Sequence, residues 1–437
     1  MRPRPATAHP WPPDPRLVEF LLLAICLAAA KLVGYLPLPA VAVAGFLAPY
    51  GAVLLRRPGD RRVRLACFAA ALLLIGVLPA TTFMRATWHG IDERAHDGGV
   101  LVTDAAVRAL LHGQDPYTVS YAPELADWPI GVQGHSHPNP MQPHFPYWPG
   151  SLAAQLPVQA PLVALGLRVD ARYLYLAVYL VMGVGLARWS LRTRGDLLLA
   201  VPCCLDPVLL SHLWWGANEV LLLAGLAGTA WALASRRPTT AGLLLGATLS
   251  VKQTFAPLVA LFAVWLWAEA RAGRLPGRRA WRAAGAALAV PLATGLPFLL
   301  WHPGALLDDA VAYPLGLGAH PYPIAGTSLP GLLLHAGVLR DPFGRLPLWS
   351  ALLPVAALLA CAGWVWRRPS PRTLLLAGGA TVLASLFLHR WLYPYYLASP
   401  IAILALGLLV RWPAPEAEPE SAAPPARQLV AAAPLSP

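Results

Sequence analysis

Three groups of residues in this chain have the types and spacing to act on a hydroxyl or a phosphate. The first is a carboxylate, Asp97, set before Gly98 and Gly99, with a second carboxylate, Asp104, further along the same stretch. A carboxylate within hydrogen-bond reach of a hydroxyl can take its proton as the oxygen attacks. The second is Lys252, which with Lys31 makes up all the lysine of the chain and which interrupts two apolar runs at 239–251 and 254–270. The third is the pair His389 and Arg390, just ahead of Tyr393, Tyr395 and Tyr396. Positively charged donors of this kind stabilise an anionic leaving group.

Each group also has a plainer reading. Thr103 to Gly113 reads as a short helix, with Thr103 as N-cap and Gly113 as the C′ stop. Asp104 would then sit in the first turn, where the helix dipole favours it. Asp97 has no such explanation, and the glycine pair after it leaves room for a sugar-sized ligand. The run before Lys252, about thirteen residues, rises only about 20 Å against a hydrocarbon core of about 30 Å. That places Lys252 below the outer surface, in a cavity between interrupted helices; the alternative is a lysine that snorkels to the interface. An aromatic belt explains the three tyrosines but not the His-Arg pair. Asn218 and Glu219 read as a helix start after an outer turn at Trp214 and Trp215, and Asp206 as the cap of a helix begun by Pro207.

The elements that must position these residues are membrane spans. The chain is 57% hydrophobic and 12% charged, with mean hydropathy +0.54, whereas a soluble domain carries about 25% charged residues. That excludes a soluble enzyme, a disordered protein and a disulfide scaffold. The five cysteines lie in apolar stretches without metal spacing. The net charge of +12 comes from arginine clusters between apolar runs, the pattern of cytoplasmic loops and not of a nucleic-acid surface. The near absence of lysine fits a GC-rich bacterial genome.

Apolar runs at 17–36, 39–55, 64–83, 171–187, 196–212, 218–234, 239–251, 254–270, 282–301, 347–366, 373–388 and 393–410 predict about twelve spans. The first of these also has the look of a signal peptide. The run 151–167 lies flat on the membrane in this reading, broken by its prolines, because only then do all the arginine clusters fall on one side. The expectation is an all-α polytopic membrane protein. It has one transmembrane domain over 17–412, outer loops at 84–170 and 302–345, and disordered cytoplasmic tails at 1–16 and 413–437. The first outer loop carries short interfacial helices. It holds Asp92, Glu93, Asp97, Asp104, Asp115, Glu124 and Asp127, and also His89, His96, His112, His135, His137 and His144. Its aromatics, Tyr117, Tyr121, Trp128, Phe145, Tyr147 and Trp148, favour order over disorder. His135, His137 and His144 with nearby carboxylates offer a weak divalent-metal set; no cofactor is otherwise expected.

Four stretches resemble the membrane-embedded C-type glycosyltransferases that use polyprenyl-phosphate sugars, most of all family 87, the bacterial mannosyltransferase-type group. They are DGGVLVTDAAVRALLHGQDPY from Asp97 to Tyr117, and FPYWP from Phe145 to Pro149. The third is GANE from Gly216 to Glu219 with the later AGLLLGATLSVKQ ending at Lys252 and Gln253. The fourth is GTSLPGLL from Gly326 to Leu333. The resemblance implies inverting transfer, of mannose first, from a lipid-monophosphate sugar to a lipid or glycan acceptor at the outer face of the cell membrane. It implies Asp97 or Asp104 as base and Lys252, His389 and Arg390 on the donor phosphate. Tyr117, Tyr147, Asn218, Glu219 and Ser328 would contact the acceptor or the rest of the substrate. The family often places its acidic residue nearer the small helix, so Asp97 and Asp104 both stay open. A ligase or polymerase of lipid-linked glycans, and a transporter or flippase, are the competing readings. The long loop and the absence of a repeat speak against transport.

Overall fold

The computed structural model describes residues 15–32, 40–56, 60–89, 95–318 and 320–412. The expected C-terminal tail, the N-terminal tail up to residue 14, and Asp92 and Glu93 lie outside them. Pro15 already opens a helix.

The described chain is predominantly helical. In order, the helices are α1 (Pro15–Leu32), α2 (Ala40–Arg56), α3 (Arg61–Trp88), α4 (Thr103–Leu111), α5 (Gly150–Ala164), α6 (Arg172–Thr193), α7 (Ala200–Cys204) and α8 (Pro207–Trp215). Then come α9 (Glu219–Ala234), α10 (Pro238–Val251), α11 (Ala256–Arg271), α12 (Gly277–Trp301), α13 (Leu329–His335), α14 (Trp349–Arg367), α15 (Pro371–Phe387) and α16 (Ala398–Leu409). The helix α3 contains a π turn at Leu72–Val77.

Five helices are long and apolar enough to cross a membrane: Arg61–Trp88, Arg172–Thr193, Gln253–Arg271, Gly277–Trp301 and Trp349–Arg367. Shorter apolar helices cover Glu219–Ala234, Pro238–Val251, Pro371–Phe387 and Pro394–Leu409. With large apolar side chains such as Val181, Leu300 and Leu359 exposed, this is a membrane protein. Of α14's nineteen residues only Val365 is buried, as expected of a helix bathed in lipid.

The run 196–212 is not a single span. It breaks after Cys204, and Asp206 caps α8 by accepting the Leu209 N–H at 2.8 Å, as its position before Pro207 predicts. The run 151–167 forms one unbroken helix, α5, through Pro157 and Pro161. Its buried face carries Ser151, Gln155 and Gln159, so it packs against protein with a polar stripe.

Small residues let neighbours approach closely. A Cβ at Gly242 or Gly246 would press on the carbonyls of Ala283 and Ala287, so α10 and α12 touch backbone to backbone. The first helix is tied to α3 by a buried ion pair of Glu19 and Arg64, and α2 joins it through the Tyr50 hydroxyl, which donates to Glu19. Glu19 also accepts the Leu197 N–H at 2.8 Å.

The first loop has its own apolar core, in which Tyr117, Tyr121, Phe145 and Leu152 pack with Phe298, Leu306 and Tyr313. Within the loop, β1 (Ile130–Val132) and β2 (His135–His137) form a hairpin. Its two-residue turn holds Gln133 at φ +51° and Gly134 at φ +82°, the left-handed geometry that tight hairpins need. In the second loop β3 (Ala325–Gly326) lies parallel to β4 (Trp391–Leu392).

Candidate active site

Asp97 opens a π turn, Asp97–Val102, that runs directly into α4. The helical stretch therefore starts six residues before Thr103, and Thr103 is not its cap. The cap is His96, whose Nδ1 accepts the Gly99 N–H at 2.9 Å. Gly113 ends the helix at φ +74° as expected. The His96 backbone N–H donates to the Trp215 carbonyl at 2.7 Å, which fixes the loop to the end of α8. The glycine pair serves packing and not ligand space. A Cβ at Gly98 would strike the Tyr147 hydroxyl, and one at Gly99 the Gly216 carbonyl oxygen.

The Asp97 carboxylate accepts the Gly98 N–H at 2.7 Å and the Asn139 amide at 3.2 Å. Its side chain keeps 27% exposure, so one side is open. Aromatic residues surround it. Burial, with the Asp97 charge among its neighbours, pushes the phenols of Tyr147, Tyr313 and Tyr322 well above their usual range. They stay neutral hydroxyls at any working pH.

Tyr147 links this stretch to Lys252. The chain leaves α10 at Lys252 with extended backbone, φ −143° and ψ 123°, and resumes helix at once, so the break seen in the sequence is real. The Lys252 ammonium pairs with Glu219. It also sits over the rings of Tyr147 at 5.6 Å and Tyr396 at 5.1 Å, a favourable place for a cation. A neighbouring side chain, Gln253, donates to the carbonyls of Pro146 at 3.2 Å and Ala310 at 2.7 Å. The interrupted helix thereby holds both long loops. At the ion pair, Asn218 Nδ2 and Glu219 Oε2 are buried with no hydrogen-bond partner among the described residues, as is the Tyr313 hydroxyl in the loop core. Buried polar atoms are nearly always satisfied, so this cluster marks a place for a polar ligand.

Three expected site residues are engaged elsewhere. Tyr117 donates to the Tyr147 carbonyl at 2.8 Å within the loop core. Ser328 caps α13, accepting the Gly331 N–H at 3.1 Å. Arg390 places its guanidinium on the carbonyls of Tyr322, Gly344 and Pro342, which orders the second loop. His389 lies edge-on to Trp391 at 4.5 Å, and Trp391 donates to the Tyr396 hydroxyl at 3.1 Å. That relay leads to Lys252. Burial, then the Arg390 charge, pushes His389 down to about 4, so its ring is neutral at pH 7.

Asp104 is buried behind the loop. It accepts from Gln159 at 2.8 Å, near the buried pair of Asp170 and Arg172. Burial, then the Asp170 charge, pushes its carboxyl up to about 8.

The His135, His137 and His144 set is not brought together. His135 and His137 lie on the hairpin. Among the described residues, His144 groups instead with Asp308 and Asp309, their ligand atoms within 4.8 Å. Both Asp309 oxygens already accept, from His144 Nδ1 at 2.6 Å and from the Phe145 N–H at 2.7 Å. Sequence reasoning missed this buried contact and the Asn139 contact because each joins distant chain segments, and it missed the His96 cap because it started the helix at Thr103.

The model of glycosyltransferase family 87 matches residues 145–400, well over half of the chain. Comparison with curated proteins and with solved structures finds no match. The chain therefore belongs to glycosyltransferase family 87 and is a transferase, with a sugar donor and an acceptor as its substrates.

Proposed function

From that membership, we propose that the enzyme transfers a hexose, mannose first, with inversion from a polyprenyl-phosphate sugar to a lipid or glycan acceptor. The reaction takes place at the outer face of a bacterial cell membrane. In this proposal one transmembrane domain over 17–412 has about twelve spans, with loops 84–170 and 302–345 facing outward; what supports it is the five long and four shorter apolar helices among the described residues. The observation that carries the reading is the part-exposed carboxylate of Asp97 next to Gly98 and Tyr147, whose ring lies under the buried ammonium of Lys252.

In this mechanism Asp97 takes the acceptor hydroxyl proton as that oxygen bonds to the anomeric carbon. The bond from the anomeric carbon to the phosphate oxygen breaks, and the lipid phosphate leaves as an anion. Lys252 keeps N–H donors beyond the one on Glu219 and offers them to that anion. His389, being neutral, adds a hydrogen bond and not a charge. Arg390 acts as a positioning residue, since its nitrogens hold the second loop. Asn218, Glu219 and Tyr313 supply partners for sugar hydroxyls, while Tyr117 and Ser328 shape the walls. Asp104, buried and protonated near neutral pH, is the weaker candidate for the base.

The test is turnover of radiolabelled polyprenyl-phosphate mannose by the purified full chain with total membrane lipids as acceptor. Label moving to a lipid or glycan product supports the reading. An intact donor, with a nucleotide sugar consumed instead, would overturn it.

A further inference from the structure

The ends of α11, α12 and α14 carry a basic patch that the chemistry above leaves unused. Exposed arginines crowd it: Arg271 on α11, Arg278, Arg279 and Arg282 on α12, and Arg367 and Arg368 at the end of α14. The one acid in residues 235–282 and 360–373 is Glu269, and Arg274 pairs with it at 3.0 Å. Three of the five long apolar helices stop or start here: Gln253–Arg271 ends, Gly277–Trp301 begins and Trp349–Arg367 ends. Helices long enough to cross a bilayer meet its surface at their ends, so the patch lies at a membrane boundary.

Aromatic contacts join the pieces into one surface. The Arg271 guanidinium lies 5.6 Å from the centre of the Trp366 ring, and Trp267 meets the same ring at 5.1 Å. The short turn 272–276 then leads from α11 into α12. Loop charge orients a membrane protein whether or not its loops touch; here the contact at Trp366 brings two basic clusters of distant sequence together. Trp267, Trp281 and Trp364 are exposed, as tryptophans are at a membrane surface.

These charges are not balanced within the protein. Arg278 and Arg279 fall in the first turn of α12, where the helix dipole disfavours cations, and no acidic residue stands in that turn to offset them. Like charges held this close repel, and an anion placed among them relieves the repulsion. Guanidinium groups match a phosphate in charge and geometry. Beyond Trp281 the same helix exposes Leu288, Leu292 and Leu296, a spacing that sets all four side chains on one face. A soluble anion has no use for such a stripe, whereas acyl chains do.

We propose that this patch binds an anionic phospholipid, with the phosphate on the arginines of α12 and α14 and the chains along the α12 stripe. The bound lipid ties the ends of three apolar helices together. The site is separate from Asp97 and Lys252 and does not depend on the transferase reading.

Native mass spectrometry of the full-length protein tests this, with phosphatidylglycerol, phosphatidylcholine and glycerol phosphate as probes. Each arginine near a membrane surface strengthens anionic-lipid binding by about fivefold. The wild type should therefore hold phosphatidylglycerol at least about tenfold more tightly than phosphatidylcholine. Combining Arg278→Gln, Arg279→Gln and Arg282→Gln should abolish that preference. Arg367→Gln with Arg368→Gln weakens it from α14, so that a misfolded variant on one helix does not decide the result. A control triple of Arg61→Gln, Arg62→Gln and Arg188→Gln removes equal charge from exposed positions elsewhere and should keep the preference. Equal retention of both lipids by the wild type would overturn the proposal. So would a preference undiminished in both patch variants, or one lost equally in the control. Glycerol phosphate bound as tightly as phosphatidylglycerol would make this a free-anion site and overturn the lipid assignment. The melting temperature in phosphatidylglycerol nanodiscs should exceed that in phosphatidylcholine for the wild type, and no rise would overturn the clamp.

Discussion

The two faces of the stretch from Asp97 to Leu111 carry the same chemical group in opposite surroundings. On the front, Asp97 keeps 27% exposure, accepts one backbone N–H and one side-chain amide, and has His96 Nδ1 3.3 Å from one oxygen. On the back, Asp104 is 6% exposed, bonded to Gln159 and close to the Asp170–Arg172 pair. The helix dipole is not what holds Asp104 in place. It sits in the second turn of a helical run that begins at Asp97. Environment and not residue type separates a group able to exchange protons with a ligand from one that fills a buried polar layer.

The sharpest way to break this contrast is Asp97→Asn against Asp104→Asn. We expect Asp97→Asn to lower transfer by at least about 100-fold, the scale of a lost general base, with donor binding retained. Asp104→Asn should change the rate by no more than a few-fold. The reverse pattern in single-turnover rates would move the base to the back face.

Removing Lys252 comes next. Lys252→Met alone leaves Glu219 buried without its partner, which typically destabilises by about 3–5 kcal/mol. Combining it with Glu219→Gln should recover most of the melting temperature but not the turnover. A double variant with near wild-type activity would reduce the pair to a structural strut.

A pH series sharpens the contrast from the other side. The Asp104 carboxyl rises from an ordinary value near 4 to about 8 in the folded protein, so the folded state holds its proton longer than the unfolded one. Its contribution is fully present at acid pH and is lost progressively as pH rises from near 4 to about 8. The melting temperature of the wild type should therefore fall more than that of Asp104→Asn between pH 5 and 8, and the gap should level off above that. Parallel curves would mean that Asp104 does not titrate in this range.

The smallest effect concerns another engaged group. Ser328→Ala removes the cap of α13 and should cost about 1 kcal/mol, measured by chemical denaturation, while leaving the transfer rate nearly unchanged. A rate loss without a stability loss would place Ser328 against substrate.

The sequence is a good guide to the interruption at Lys252, to the capping role of Asp206 and to the turn at Gly113. Each depends on neighbours a few residues away. It is a poor guide to the partners of Lys252 and Arg390, because those are set by chain segments 33 and 46 positions away in packing that composition does not encode. The glycine pair at 98 and 99 shows the limit well. Small residues announce a close approach, but only the fold says whether ligand or protein comes close. Span length misleads at 196–212, where hydropathy is continuous while Pro207 and the capping Asp206 divide the helix.

The π turn at Leu72–Val77 has a consequence for how this chain tolerates change. The slipped ladder lets the Ile75 carbonyl accept from the indole of Trp214 at 3.0 Å, and it brings Gly76 against the ring of Tyr179. A π turn holds one residue more than an α turn. Because the wider turn absorbs one extra residue, deleting one of these six would restore a regular helix while residues 78–88 keep nearly their present faces. The loss would be local, at the Ile75 carbonyl that Trp214 uses. A one-residue deletion in the regular turns on either side would instead rotate the rest of the helix by about 100°, so the π turn is the place where this helix carries slack in its length.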